Sequence, residues 1–431
     1  MDLLALPTEV LVLIFLNLSV SDSLHIQSVN RLFRSLYQDS LQLQYALECQ
    51  IAGVHDNPRC SLPIQYRLRM LRDRESSWDS LVPTSREDVQ LPTRTSGHYD
   101  LAREHFFLGD PHPMAAKPLI PIHYERPMQP SNDQVHVSVE ACGENLFLAV
   151  RISDDPSWLY VFSWQTGELK FDPIGFPNLG LVVLRHDIIL NPNIRNHCLD
   201  IYYVPASSSG GPINRIARLC LPALKDDANT WDIQCRAAPN PTEDSTLPRN
   251  ISASIPFVDR ADCAIILLTW QIHRDDNEFV TPFSFVVHRQ SILDLLPPEM
   301  EWPSLQAQTT AWDFWGPSRT CLFNNMRFAE GYITATNGQR YILHSAEPRQ
   351  KSQLRLLDFN RYKIKRSLAK GSPRVQLGMQ SEPLNHFFAQ SETDALPFLE
   401  IVADVDRSYH GVMINDSAIL GLNSAQSSSR G

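Results

Sequence analysis

No stretch of this chain is apolar for long enough to cross a bilayer as a helix. The longest such runs, Cys263 to Trp270 among them, stop far short of the ~20 residues a spanning helix requires. Acids outnumber bases, 48 to 38, and the resulting charge of −10 argues against nucleic acid as the main partner. The N-terminus is apolar but lacks the basic start of a secretory signal: Asp2 stands there, and Pro7 and Glu9 interrupt the run. The eight cysteines, at 49, 60, 142, 198, 220, 235, 263 and 321, contain no C-x-x-C and no short pairing. They read as reduced thiols of a cytoplasmic or nuclear protein rather than as zinc ligands or a disulfide framework.

The usual marks of catalysis are missing too. Ser207 to Pro212 is small and glycine-containing but has no following lysine or helix, so it is no phosphate loop, and no G-x-S-x-G elbow occurs. His105, His112 and His123 are the nearest thing to a histidine cluster, in a proline-rich stretch. Asp154-Asp155, Asp226-Asp227 and Asp275-Asp276 read as turn residues. The expectation is a non-catalytic protein with no metal and no cofactor.

What the chain does have is concentrated between Leu3 and Leu47. Pro7, Thr8 and Glu9 suit a helix start, and Val10, Leu11, Ile14, Phe15 and Leu18 recur at helical spacing. Val12, Leu13 and Leu16 fill the other side, so the first helix carries more apolar surface than one small helical unit can bury. A second helix is expected from a Ser21 cap through Leu24, Ile26 and Val29, and a third through Leu32, Phe33, Leu36 and Tyr37.

Leu6-Pro7-x-Glu9-Val10-Leu11, then Ile14, Leu18, Leu24, Val29 and Phe33 to Leu36, resembles the F-box. That three-helix module docks on the Skp-type adaptor of cullin-based (SCF) ubiquitin ligases. Asp39 to Gly53, Ser61-Leu62-Pro63, the basic helix of Arg67, Arg69, Arg72 and Arg74, and Trp78 are similar to the extension found in large fungal, basidiomycete-like F-box families. The resemblance implies an adaptor contact through Leu6, Pro7, Val10, Leu11, Ile14, Phe15, Leu18, Leu24, Val29, Phe33 and Leu36, and through the adaptor a cullin. It also implies a divergent, often propeller-like domain downstream. The plain alternative is a helical hairpin opening a globular domain.

Beyond Trp78 the helical period stops. The expected divisions are an F-box at 1–50, a helical extension and linker at 51–84, an all-β domain at 85–423 and a disordered serine-rich tail at 424–431. Prolines crowd Phe106 to Gln134, leaving one short strand at Leu119 to His123. From Val135 on to Leu422, short apolar or alternating runs closed by turns predict many strands, with a polar loop at Lys225 to Asn250. Strands are expected at Ile251 to Val258 and Gly331 to Thr336, among others, and a helix at Ser291 to Leu296.

Such length favours a radially repeated sheet domain over one sandwich. At ~45–50 residues per blade, six or seven propeller blades fit. Trp-Asp pairs begin at Trp78, Trp231 and Trp312 without a common spacing, so they are not read as repeats. Gln165 to Glu168 reads as a hairpin turn. Trp312 and Trp315 are expected to pack inside, with a binding lip as the alternative. Arg361, Lys363 and Lys365 alternate with Tyr362 and Ile364 and read as an edge or outer strand, with a nuclear-import or acidic-substrate patch as the alternative. The last strands, at His410 to Asn415 and Ala418 to Leu422, are expected to close the ring against the first blade.

The fold expected is therefore mainly β with an N-terminal all-α module, and the function that of a substrate-recognition subunit of an SCF-type ligase. The alternatives are a hydrolase-like propeller enzyme with a helical appendage and an F-box scaffold outside the ligase. The substrate is not legible.

Overall fold

The computed structural model describes residues 3–83, 85–87, 115–117, 119–122, 135–153, 156–206, 211–242, 252–275, 277–299, 302, 307–324, 335–345, 352–371, 374–376, 386–389, 396–405, 409 and 411–422. Pro7, whose missing N–H costs nothing at a helix start, precedes α1 (Thr8–Phe15). The Ser19 hydroxyl accepts from the Asp22 N–H at 3.1 Å and so starts α2 (Val20–Val29). The expected cap, Ser21, lies inside the first turn because Ser19 already meets the free N–H groups. Asn30 caps α3 (Arg31–Asp39), and Ser40 caps α4 (Leu41–Ala52). Gly53 ends α4 in the left-handed region at φ +71°, where a Cβ would also meet Gln339 Nε2 at 2.5 Å. A short strand, β1 (Val54–Asp56), leads into α5 (Ile64–Ser80), which starts behind Pro63.

The rest is mainly β. A first sheet runs β2 (Val135–Cys142), β3 (Asn145–Ile152), β4 (Ser157–Ser163) and β5 (Glu168–Leu169), with β6 (Ile174–Phe176) also on β4. The turn into β5 has Gly167 at φ +70°, as the Gln165 to Glu168 hairpin requires. A second sheet runs β7 (Val182–Arg185), β8 (Ile188–Asn193), β9 (Cys198–Tyr203) and β10 (Asn214–Cys220).

Next come β11 (Ala228–Arg236), β12 (Phe257–Asp259), β13 (Ile265–Arg274), β14 (Asn277–His288), α6 (Arg289–Leu293), β15 (Gln308–Thr310), α7 (Trp312–Trp315) and β16 (Thr320–Asn324). The order β11-β13-β14-β16 makes the third sheet, β12 pairs with β1, and β15 lies parallel to β10 on the second sheet. The fourth sheet uses β17 (Thr336–Asn337), β18 (Arg340–Ser345), β19 (Gln353–Asp358), β20 (Val375–Gln376) and β21 (Phe398–Asp404), with α8 (Arg361–Ala369) between β19 and β20. A last hairpin joins β22 (Gly411–Ile414) to β23 (Ile419–Leu422).

Consecutive sheets share cores. Phe147, Leu159 and Val161 meet Val183, Ile189 and Tyr202 between the first and second. Leu190, Leu199 and Leu219 meet Trp270, Phe283 and Phe285 between the second and third, where Trp312 and Trp315 are also buried, edge to face at 5.1 Å. Ile265, Val286 and Phe323 meet Tyr341, Leu357 and Phe398 between the third and fourth. Among the described residues no such core joins the fourth sheet to the first.

Several expectations are corrected. Among the described residues the strands form four sheets of four or five strands and two two-stranded ribbons, and the third sheet alone draws strands from Ala228 to Asn324, a longer span than one expected blade. Among the described residues the final hairpin pairs with itself and not with the first sheet as expected, and its Val412 and Ile414 pack beside Trp78, Ile342 and Leu356 instead. Lys225 to Asn250 contains β11, hidden from a pattern reading because Ile233 and Cys235 are buried at its far end and a bulge at Trp231 breaks the period.

Arg361 to Arg366 is helical, not a strand, since the Asn360 side chain accepts from the Tyr362 and Lys363 N–H groups and starts α8. Of the described residues in the 251–258 run, Phe257 and Val258 alone are in a strand (Phe257–Asp259), because the Asn57 carboxamide takes the Ser252 and Ile255 carbonyls instead. Leu119 to Ile122 is not a strand, and α6 begins at Arg289, before the expected Ser291. His105, His112, His123, Asp154-Asp155, 331–334 and the 424–431 tail lie outside the described residues.

Candidate functional site

The first helix divides its apolar residues between two faces. Leu11 and Phe15, four apart, turn inward and pack with Phe33, Tyr37 and Leu43. Phe15 meets Phe33 edge to face at 5.2 Å and stacks on Tyr37 at 5.7 Å. On the other face Val10, Leu13 and Ile14 are exposed, Leu13 to 61%. Leu24 and Val29 of α2 and Leu32 of α3 are exposed as well, Val29 to 78%. Isolated exposed aliphatics are ordinary, but this many on three short neighbouring helices is a candidate interaction surface.

Of the residues expected to meet an adaptor, Val10, Ile14, Leu24, Val29 and Pro7 are therefore exposed. Leu6, Leu18 and Leu36 are half-buried against the module's core, while Leu11, Phe15 and Phe33 are inside it and hold the helices together. Leu13 and Leu32 belong to the exposed set without having been singled out. The signal for Leu13 is its i+3 spacing from Val10.

This module is not hung on a loose linker. α4 serves both sides, with Leu43 and Leu47 in the N-terminal core and Tyr45, Cys49 and Ala52 against Leu68, Leu71 and Phe257. β1 pairs with β12, and α5 is tied to the fourth sheet by charge. Arg340 Nη2 meets Glu75 at 2.6 Å, Lys363 Nζ meets Glu75 at 2.8 Å and Asp79 at 2.7 Å, and Arg74 Nη2 meets Asp259 at 3.0 Å. Burial opposes ionisation of Glu75, yet Arg340, Lys363 and Arg74 hold its carboxyl well below the usual range. The Arg340 guanidinium also lies over the Trp78 ring, 5.1 Å from its centroid. Helices assigned by sequence to a separate extension are thus built into the β domain.

A cleft of about 1070 Å³ opens where the units converge. Its walls come from the β7–β8 turn (Arg185, Asp187), the chain after β11 (Asn240), the β1–β12 ribbon (His55), the stretch after α6 (Trp302) and the tip of the last hairpin (Asp416). Its charged groups largely serve one another. Arg185 clamps Asp187 at 2.6 and 2.8 Å, also reaches Glu299, and lies 4.8 Å over the Trp302 ring. Arg260 pairs with Asp262. Burial, with Arg260 nearby, pulls the His55 imidazole below its ordinary value, so it is neutral at pH 7. Behind the wall, Arg289 is fully buried and donates to the Pro239 and Ala261 carbonyls, and burial pulls its guanidinium down to about 10.

Among the described residues, no three His, Cys, Asp or Glu side chains converge as a metal ion needs. Nor is any helix among them long and apolar enough to cross a membrane. The cleft residues come from separate stretches of the chain, which is why no motif announced them. No family model matches this chain, and no curated protein matches it.

Proposed function

We propose that this chain is the substrate-recognition subunit of an SCF-type ubiquitin ligase, with an F-box at its N-terminus and a propeller-like β domain behind it. The observation that carries the reading is the exposed apolar stripe of Val10, Leu13, Ile14, Leu24, Val29 and Leu32 on a helical module with its own core. Burying one large aliphatic side chain is worth roughly 1.5–3 kcal/mol, so a partner that covers the stripe gains ample free energy to dock. On this reading the partner is a Skp-type adaptor that leads to a cullin.

The β domain receives a protein substrate at the cleft, and chemistry is left to the conjugating enzyme that the complex brings near. Mutual pairing of Arg185 with Asp187 and of Arg260 with Asp262 supports a binding role over a catalytic one. Chain-ordered sheets, each packed on the next through a shared core, support the propeller-like description. The compartment that suits this work is the cytoplasm or nucleus.

The test is affinity purification of the full chain from its own cells, with and without proteasome inhibition, followed by mass spectrometry. Recovery of a Skp-type adaptor and a cullin, with further proteins that accumulate on inhibition, is the expected result. Adaptor without cullin or accumulating proteins identifies a scaffold instead, and recovery of neither overturns the reading.

A further inference from the structure

We propose that Cys198 and Cys220 form a covalent modification site, a thiol pair that closes to a disulfide when a low-molecular-weight disulfide oxidises the chain. The two are far apart in sequence but directly opposite on β9 and β10. The Leu221 N–H donates to the His197 carbonyl at 2.9 Å, just outside the pair. In an antiparallel ladder that bond pattern marks Cys198 and Cys220 as a non-hydrogen-bonded pair, the kind whose Cα atoms approach to about 4.5 Å and whose side chains leave the sheet on the same side. A disulfide needs Cα atoms roughly 4.4–6.8 Å apart, so the backbone is already in range. Across the strands from Cys142, Cys235 and Cys321 stand Asn145, Leu268 and Val286.

Exposure fixes the order of events. Cys220 is partly exposed and Cys198 is fully buried. The Cys220 thiolate attacks one sulfur of the small disulfide, forms a mixed disulfide and releases one small thiolate. Cys198 then loses its proton and attacks the Cys220 sulfur, and the second small thiol leaves. The pair is oxidised by two electrons, and the small disulfide is reduced to two thiols. Burial, with the Asp200 carboxylate adding to it, pushes the Cys198 thiol up to about 12, so the second step is the slow one and quickens as pH rises.

Cβ atoms across such a pair sit about 4.5–5.5 Å apart, whereas a disulfide holds them at about 3.5–4.5 Å. The closed bond therefore pulls the strands together and is easily reduced. It staples β9 to β10 at the end where Trp315 Nε1 donates to the Cys220 carbonyl, the point at which α7 is anchored.

The experiment treats the full reduced chain with oxidised glutathione at mildly alkaline pH and maps its peptides without reduction. The expected product is lighter by two hydrogens, contains one linked pair, Cys198 with Cys220, and reverts with dithiothreitol. Cys198→Ser should stop at a stable glutathione adduct on Cys220, and Cys220→Ser should form neither adduct nor link at that strand. A folded wild-type chain that yields no linked pair, or whose Cys220 adduct persists as long as it does in Cys198→Ser, overturns the proposal. The wild-type map decides the matter even if a serine variant fails to fold.

Discussion

Arg340 on β18 donates to the Glu75 carboxylate on α5 across 2.6 Å, although the two residues are 265 positions apart in the chain. Lys363 reaches the same carboxylate from α8, and Arg74 joins it to Asp259 on β12. With Trp78 packed against Ile342 and Leu356, this clasp fixes where the apolar stripe sits relative to the cleft. The proposed function, which works by proximity, would draw on that fixed geometry.

Arg340→Ala removes the nearest cation from Glu75 and one of two from Asp358 in a largely buried site, where Lys363 still faces both. Urea unfolding should register a clear loss, below the roughly 3–5 kcal/mol of a buried charge left wholly unpaired because Lys363 and Arg74 still hold Glu75. Arg72→Ala, whose bond to Glu48 is exposed, should cost under about 1 kcal/mol in the same assay.

Phe15 anchors the N-terminal core through its contacts with Phe33 and Tyr37. Phe15→Ala should cost about 3–5 kcal/mol and melt the helical module before the β domain, seen as early loss of helical circular dichroism.

The helical half of the design was largely legible, since Val10, Leu11, Ile14 and Phe15 declare an α-helix by spacing alone. Which of them face inward was not, because the apolar residues wrap the whole helix and only Phe33, Tyr37 and Leu43 decide which side is covered. Alternation failed at Arg361 to Arg366 for a different reason: one cap, Asn360, outweighed a strand-like pattern. The sheets were legible as strands, but their number was not, because blade length was assumed and the third sheet departs from it. The clasp and the cleft depend on residues far apart in the chain, for which a single sequence carries no local signal.

His288 is buried between the Cys263 and Phe359 backbones with Arg361 nearby, and burial above all, with that charge, pulls its imidazole down to about 3. The unfolded chain takes up this proton near 6.5 while the folded chain refuses it. Stability from this group is thus present above about pH 6.5 and is lost progressively as pH falls toward 3. Thermal melts should fall across that window, and the fall should be shallower in His288→Gln.

Ending the chain at Arg407 removes the hairpin that covers Ile342, Leu356 and Trp78. Val412 and Ile414 each bury an aliphatic side chain worth roughly 1.5–3 kcal/mol, so the truncated chain should melt well below the full one. Ending it at Asn423 should leave the midpoint nearly unchanged.

The proposed function requires the exposed apolar residues of α1, α2 and α3 to bind a Skp-type adaptor. Titrating a purified Skp-type adaptor into the full chain by calorimetry, with Leu13→Asp and Val29→Asp alongside, measures this on residues exposed to 61% and 78%, where a charge leaves the fold intact. The prediction is a one-to-one complex for the wild type, and affinity lowered at least tenfold in each variant with the melting midpoint unchanged. No heat of binding with the wild type, or equal affinity in both variants, would contradict it.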